Sequence, residues 1–98
     1  MKITKTLNGD VLTVALEGRL DTTTAPELDE DLKESAANVN ELIMDLEKLE
    51  YISSAGLRVL LTYHKAMMRK GGMKILHANE MIMEVFDITG FSEVFTIE

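Results

Sequence analysis

The central part of the chain, LIMDLEKLEYISSAGLRVLL at positions 42–61, contains a predicted strand followed by a predicted helix. Its first five residues, 42–46, are apolar except for Asp45. A short, nearly continuous apolar run is typical of a strand covered on both faces, so we predict a central strand there. A charged turn follows, and Ser53 and Ser54 then precede a helical pattern. We therefore predict a helix that begins at about residue 54.

After the two serines, apolar residues recur three or four positions apart, which is the spacing of one helix face. That face consists of Leu57, Leu60, Leu61, His64 and Met68. Basic residues and then Gly71-Gly72 indicate the end of this helix. The residues from Met73 to Ala78 predict another strand. A third helix, capped by Asn79 and ended by Gly90, precedes a last short strand at 94–97.

Upstream of the central strand, two alternating runs flank Asn8-Gly9, which is a strong hairpin signal. Gly18 ends the second run, and a threonine-rich segment follows. Thr24 and Glu27 have the spacing of a capping box, which predicts that the first helix begins there. The apolar stripe of this helix consists of Leu28, Leu32, Ala36 and Val39, and its outer face is acidic.

The resulting order of elements is ββαβαβαβ, which predicts an α/β fold in one small domain over residues 1–98. Strands that alternate with helices imply right-handed crossovers and a mostly parallel β-sheet. The N-terminal β-hairpin makes the sheet mixed, and three helices cover it. We expect the core to contain Leu28, Leu32, Leu42, Met44, Leu57, Leu60, Leu61, Ile75 and Val85.

Charge and composition exclude several classes of function. Ten Lys and Arg residues against seventeen Asp and Glu residues give a net charge of −7, which repels the phosphates of nucleic acids and anionic lipids. We therefore expect neither as a partner. No apolar run approaches the ~18 residues of a spanning helix, and no signal-peptide core is present, so we expect a cytoplasmic protein.

Enzymatic motifs are also missing from the sequence. There is no Cys, no GxSxG elbow and no Walker A loop, and neither His64 nor His77 lies near a second histidine at metal-ligand spacing. We expect no enzyme, no metal and no cofactor. Asp45 could mimic the phosphoacceptor of a receiver domain, but the acidic pair for magnesium is missing, which favours a strand-end or turn-capping role.

The serine pair has two compatible interpretations. Ser53 and Ser54 lie at a strand-to-helix junction, beside free backbone N–H groups and the positive end of a helix dipole. The plain interpretation is a helix N-cap. A capping hydroxyl can also be phosphorylated, which adds about −1.5 to −2 charges at pH 7.

The segment from Asp45 to Leu57 resembles the serine box of the STAS-domain anti-sigma factor antagonists of bacteria. In that family an aspartate-containing strand and an aromatic residue precede a serine, a small residue and Gly-Leu. The resemblance extends to residues 16–21, to Gly71-Gly72 and to residues 86–91, and so covers nearly the whole chain. It implies that residues 1–98 form a single STAS domain.

The resemblance implies a binding switch controlled by phosphorylation. Unphosphorylated family members bind an anti-sigma factor that is also a serine kinase, and so release the sigma factor. The kinase phosphorylates the antagonist, and a PP2C-type phosphatase reverses this. The family's phosphoacceptor falls on Ser54. The preceding position is often Asp in the family and is Ser53 here, so Ser53 is a rival acceptor, while Ala55 narrows the choice to these two serines.

The resemblance also implies a set of partner-binding residues. The aspartate of the family's Gly-x-x-Asp element falls on Asp21 and is associated with kinase docking or phosphorylation, although it could instead form a turn for the threonine run. The full set is Asp21, Thr22, Thr23, Ser53, Ser54, Ala55, Gly56 and Leu57. We expect a monomer or a weak dimer. The alternative function is a non-phosphorylated STAS scaffold or a regulatory subunit of a transporter or sensory complex.

Overall fold

The computed structural model describes residues Met1 to Glu98 and contains five strands and three α-helices. The strands are β1 (Lys2–Asn8), β2 (Val11–Leu20), β3 (Glu41–Ile52), β4 (Met73–Leu76) and β5 (Thr96–Ile97). The helices are α1 (Ala25–Ser35), α2 (Ser54–Met67) and α3 (Glu80–Thr89), and short 3-10 turns follow α1 and α3. The predicted order ββαβαβαβ is confirmed. None of the helices combines the length and the apolar character needed to cross a membrane.

The five strands form one mixed sheet with the order β1-β2-β3-β4-β5. β1 and β2 are antiparallel, and the other three pairs are parallel. β3 has the central place that the sequence predicts. Each parallel connection moves one strand in the same direction, so right-handed crossovers put all three helices on one face of the sheet.

The prediction that β3 is covered on both faces is wrong. Leu42, Met44 and Leu46 are fully buried on the helix face, whereas Ile43 and Asp45 on the opposite face are partly exposed. The physical reason is the single layer of helices, which leaves the other face of the sheet open. Neighbouring strands shield Ile43 in part, which explains why an apolar residue is tolerated there.

β3 also continues well beyond its predicted end at residue 46, through the segment that we expected to be a charged turn. Its pairing with β2 shifts register twice, between Ala15 and Glu17 and between Gly18 and Arg19. Each shift is a β-bulge that inserts one residue into β3. As a result Leu46, Leu49 and Ile52, although three positions apart, are all buried.

Most of the predicted core is confirmed, with two exceptions. Leu61 and Val85 are only partly buried, because each lies beside the buried stripe of its helix rather than on it. On α3 the core positions belong to Ile82 and Phe86. Tyr63 on α2 is an unpredicted core residue, and its hydroxyl donates a hydrogen bond of 2.8 Å to Asp29 Oδ1.

Several element ends differ from the predictions. Gly9 and Asp10 form the hairpin loop, one position later than Asn8-Gly9, and Gly9 has the positive φ of 66° that such a loop requires. Met68 lies beyond the end of α2 and is exposed, although we expected it on the apolar face. The last strand begins at Thr96, because the chain before it forms a 3-10 turn.

Candidate functional site

The predicted site residues lie at the edge of the sheet where the parallel strands β2, β3 and β4 end, which we call the carboxyl edge. Loops at this edge are the usual binding positions in open α/β sheets. The loop after β2 contains Asp21, and the junction after β3 contains Ser53 and Ser54. The structure therefore brings these two segments to adjacent positions on one surface.

Ser53 is the N-cap of α2. Its backbone is extended, with φ −96° and ψ 175°, and its Oγ accepts a hydrogen bond of 3.4 Å from Gly56 N. Its carbonyl oxygen also accepts a hydrogen bond of 2.9 Å from Leu57 N. The side chain is partly buried. The capping hydroxyl that the sequence predicts thus belongs to Ser53.

Ser54 is the first residue of α2 and is exposed. Unlike Ser53, its hydroxyl does not take part in the capping hydrogen bond to Gly56 N. It lies beside the free N–H groups of the first helical turn, where the helix dipole is positive and stabilises anions. The Ser54 side chain is therefore accessible from outside.

The rest of the serine box holds the start of α2 against the sheet. Gly56 is buried, and a Cβ at this position would lie 2.7 Å from Leu20 Cγ and 3.0 Å from Ile52 Cγ1. Leu57 is also buried, and Ala55 is partly buried. Gly56 and Leu57 therefore offer no side-chain surface to a partner, and any effect on binding is through the position of α2.

Asp21 organises the loop after β2. Its Oδ1 accepts hydrogen bonds from the Thr23 hydroxyl at 2.7 Å, Thr23 N at 3.0 Å and Thr24 N at 3.1 Å. The Thr23 hydroxyl is the main cause that lowers the pKa of Asp21 below its usual value, so the carboxylate is charged near neutral pH. Thr22 and Thr23 are exposed, and the Asp21 side chain keeps 28% of its surface exposed. Asp21 therefore forms the turn of the threonine run, and part of its carboxylate remains accessible.

The capping box predicted for α1 is not formed. Thr24 is the N-cap, but its side chain makes no capping hydrogen bond. Thr24 Oγ1 instead accepts a hydrogen bond of 2.8 Å from Asp21 N and donates one of 2.8 Å to Arg19 O. The Thr24 hydroxyl therefore joins the backbone of Arg19 and Asp21 within the loop and does not cap α1.

Arg19 and Tyr51 form an exposed pair next to this site that the sequence does not predict. The two residues are register partners on β2 and β3, and the Arg19 guanidinium carbon lies 4.2 Å from the centre of the Tyr51 ring. Arg19 Nε is also 3.8 Å from Asp21 Oδ2. Tyr51 belongs to the serine box and Arg19 precedes Asp21, but only the bulged register of β3 makes them neighbours.

A second polar cluster lies on the open face of the sheet. His77 Nδ1 is 2.9 Å from Asp45 Oδ1, which also accepts a hydrogen bond of 3.1 Å from Glu47 N. The Asp45 carboxylate raises the pKa of His77 above its usual value. These three side chains have donor atoms within 4.8 Å of one another, which is close enough to share a metal ion. Because β3 extends past Asp45, this residue lies within the strand and not at the strand end that we expected.

A family model of the STAS domain matches residues 2–98. The chain belongs to the STAS domain family. This confirms the resemblance that the serine box indicates. It also accounts for the mixed sheet with its N-terminal hairpin and three helices, which is the fold of this family.

Curated relatives support the same assignment. This STAS domain is similar to a protein of Bordetella bronchiseptica named as an anti-sigma factor antagonist, BtrV, with 33% identity over 102 residues, 99% of this chain and 85% of the relative. It is also similar to the anti-sigma-B factor antagonist of Bacillus subtilis, with 31% identity over 91 residues, 92% of this chain and 84% of the relative. Both names are those of regulators and not of enzymes. This confirms the expectation that the chain is a regulator and not an enzyme.

Solved structures of SpoIIAA, an anti-sigma factor antagonist of Bacillus, have the same fold at 16% sequence identity. The TM-score is 0.84 for the unphosphorylated form, over 99% of this chain and 88% of that one. It is 0.76 for the phosphorylated form, over 99% of this chain and 91% of that one. The comparison shows the fold alone and assigns no role to individual residues of this STAS domain.

Proposed function

We propose that this chain is an anti-sigma factor antagonist whose binding is switched off by phosphorylation of Ser54. The observation that carries the proposal is the accessible hydroxyl of Ser54 at the start of α2, next to a cap formed by Ser53. Membership of the STAS domain family and two antagonist relatives supply the regulatory role. A STAS-fold antagonist, SpoIIAA, has been solved in a phosphorylated form, which supports this kind of control.

The accessibility of the two serines favours Ser54 over Ser53 as the phosphoacceptor. Ser53 Oγ is partly buried and engaged with Gly56 N, so its phosphorylation requires the cap to open. A kinase reaches Ser54 without breaking that hydrogen bond. The helix dipole at the first turn of α2 also stabilises the phosphate once it has formed.

The switch acts through charge in the partner interface. A neutral hydroxyl at the carboxyl edge fits against another protein surface, whereas a phosphate brings about −1.5 to −2 charges and three oxygens that must be desolvated. The Asp21 carboxylate in the neighbouring loop is also negative, so the phosphorylated edge presents a larger negative charge to the partner. Each ~1.4 kcal/mol of lost binding energy weakens the complex tenfold.

The partners in this proposal are an anti-sigma factor that is also a serine kinase and a PP2C-type phosphatase that restores the hydroxyl. The kinase contacts the exposed residues Thr22, Thr23 and Ser54 and the accessible part of the Asp21 carboxylate, with Ser53 and Ala55 at the margin. Because sigma factors act on RNA polymerase, the proposal includes a cytoplasmic location. We expect a monomer or a weak dimer before the kinase binds.

Mass spectrometry tests which serine accepts the phosphate. The chain is first incubated with the anti-sigma factor kinase and ATP. We expect one phosphate on Ser54 in the wild type and in Ser53→Ala, and none in Ser54→Ala. Phosphate on Ser53 alone would contradict the proposal. If neither serine is modified, the chain is a non-phosphorylated STAS scaffold or a regulatory subunit of a transporter or sensory complex.

A further inference from the structure

The outward side of α3 presents two large apolar side chains among carboxylates. Met81 is 55% exposed and Ile88 is 78% exposed, and both lie opposite the buried pair of this helix. At about 100° of rotation per residue, the two apolar side chains and three acidic ones fall within an arc of about 120°. We call this set the α3 outer face: Glu80, Met81, Glu84, Asp87 and Ile88.

The negative charge of the α3 outer face has no internal counterpart. α3, with the sequence EMIMEVFDIT, contains no basic residue, and its carboxylates take part in none of the chain's ion pairs. Elsewhere the chain does pair its acids, as Lys5 with Asp31 at 2.6 Å and Lys74 with Glu41 at 3.3 Å. The carboxylates of α3 are therefore free to pair with cations from another molecule.

α1 provides a comparison within the same chain. Its outward side is also acidic, but it exposes no large apolar side chain. An acidic helix face alone is explained by solvation. The combination on α3 differs, because exposed Met81 and Ile88 lose contact with water only when something covers them.

The α3 outer face begins near the proposed phosphorylation site. The Asn79 side chain caps α3 by accepting a hydrogen bond of 2.9 Å from Ile82 N, and its amide donates one of 2.9 Å to Leu49 O of β3. Ser53 follows Leu49 by four positions, a span of at most about 13 Å. The first turn of α3 is thus fixed beside the end of β3 that leads to Ser54.

We propose that the α3 outer face is a second docking surface for the anti-sigma factor, and that it binds a basic segment of that partner that carries apolar side chains. The identity of the partner rests on the function proposed above. Lysine or arginine side chains of the segment pair with Glu80, Glu84 and Asp87, while its apolar side chains cover Met81 and Ile88. Complementary charge of this kind sets which partner binds and how fast.

The start of α2 and the α3 outer face then contribute differently to binding. Phosphate on Ser54 disrupts the contact at the start of α2, whereas the same negative charge does not repel a basic segment on α3. The α3 outer face therefore selects the anti-sigma factor in both states, and Ser54 determines whether the complex is tight. Phosphorylation and a change on α3 should weaken binding independently.

Charge reversal tests this proposal with a matched control. Glu84→Lys alters the α3 outer face and Glu34→Lys makes the same change on the exposed side of α1, and circular dichroism checks that both fold. The probe is the purified kinase that phosphorylates this chain, and the readout is its Kd at low and high salt. We expect Glu84→Lys to weaken binding about tenfold and to reduce its salt dependence, whereas Glu34→Lys stays within about twofold of the wild type.

A photo-crosslinker at position 81 supplies a second readout, and we expect it to label a Lys- or Arg-rich segment of the kinase. Equal affinities of Glu84→Lys and Glu34→Lys, or a crosslink to an acidic segment, would overturn the docking surface. Phosphorylation of Ser54 is measured in the same assay. If it still weakens binding when Glu84→Lys does not, only the α3 inference fails. If Glu84→Lys weakens binding and phosphorylation does not, the docking surface stands and the proposed switch fails.

Discussion

The amide of Ser53 donates a hydrogen bond of 2.9 Å to the carbonyl oxygen of Leu20, and so joins the start of α2 to the end of β2. Leu20 precedes Asp21, and Ser53 precedes Ser54, so this backbone contact links the two segments that carry the proposed docking carboxylate and the proposed phosphoacceptor. This hydrogen bond ties the residue before the Asp21 loop and the residue before α2 to the same edge of the sheet.

Gly56→Ala should destabilise the fold. The added Cβ would lie 2.7 Å from Leu20 Cγ, closer than carbon atoms normally approach, so α2 must shift away from β2. Overpacking of this kind costs about 1–3 kcal/mol. The free energy of unfolding from urea titration measures the cost, with the exposed position Ser54→Ala as the control. Equal stabilities of the two variants would show that this contact is not tight.

Ser53→Ala should cost about 1 kcal/mol of unfolding free energy, because it removes the cap of α2. Ser54→Ala should be close to neutral, since the Ser54 side chain is exposed and does not provide the cap. The pair of variants is measured in one thermal or urea series. A larger loss for Ser54→Ala would mean that the cap is assigned to the wrong serine.

Asp21→Asn should keep the turn after β2 and remove its negative charge. The amide oxygen still accepts from Thr23 and Thr24, so the loop persists, but the anion is gone. We expect weaker kinase binding and slower phosphorylation of Ser54, with Glu34→Gln on α1 as the control for lost charge. The docking role is wrong if both the affinity and the rate are unchanged.

The Asp21 carboxylate should also make the stability of the fold depend on pH. The folded-state pKa of Asp21 lies below its usual value of 3.8, so its stabilising effect is present above that pH and is lost as the pH falls through the lower folded value. Between the usual value and the folded one, the wild type should lose stability relative to Asp21→Asn. Parallel stability curves of the two proteins over this range would contradict the hydrogen-bonded geometry.

His77 should titrate above its usual value of 6.5, because Asp45 stabilises the imidazolium form. Its stabilising contribution is complete below pH 6.5 and is lost as the pH rises through the raised folded pKa. A chemical-shift titration of the His77 ring by NMR measures this, and Asp45→Asn should return the pKa towards 6.5. An unchanged titration in the variant would show that the contact does not persist in solution.

Regular elements could be predicted from the sequence, because alternation, caps and glycines act locally. The two bulges in β3 could not, since residues 47–52 carry charges that suggest a turn, and only pairing with β2 makes them a strand. The open face of the sheet was missed for a related reason. Ile43 looks like a residue buried between two layers, and its environment depends on where all three helices lie.

Only part of the candidate site could be predicted, because the rest also depends on strand ends and strand pairing. The serine box locates the start of α2, but which serine caps the helix depends on the last residue of β3, and such boundaries vary by one or two positions. The Arg19–Tyr51 pair depends on the bulged register and has no signal in either segment alone. The α3 outer face could not be predicted, because Met81 could belong either to a binding surface or to the core, and core packing is the commoner use of methionine.

The central claim is tested most directly by the Kd between this chain and its anti-sigma factor kinase before and after phosphorylation. We predict that the chain phosphorylated on Ser54 binds about 100-fold more weakly, and that Ser54→Ala binds like the unphosphorylated wild type and does not respond to ATP. Ser54→Asp should lie between them, because a carboxylate carries about half the charge of a phosphate. Equal affinities of the phosphorylated and unphosphorylated chains would contradict the account.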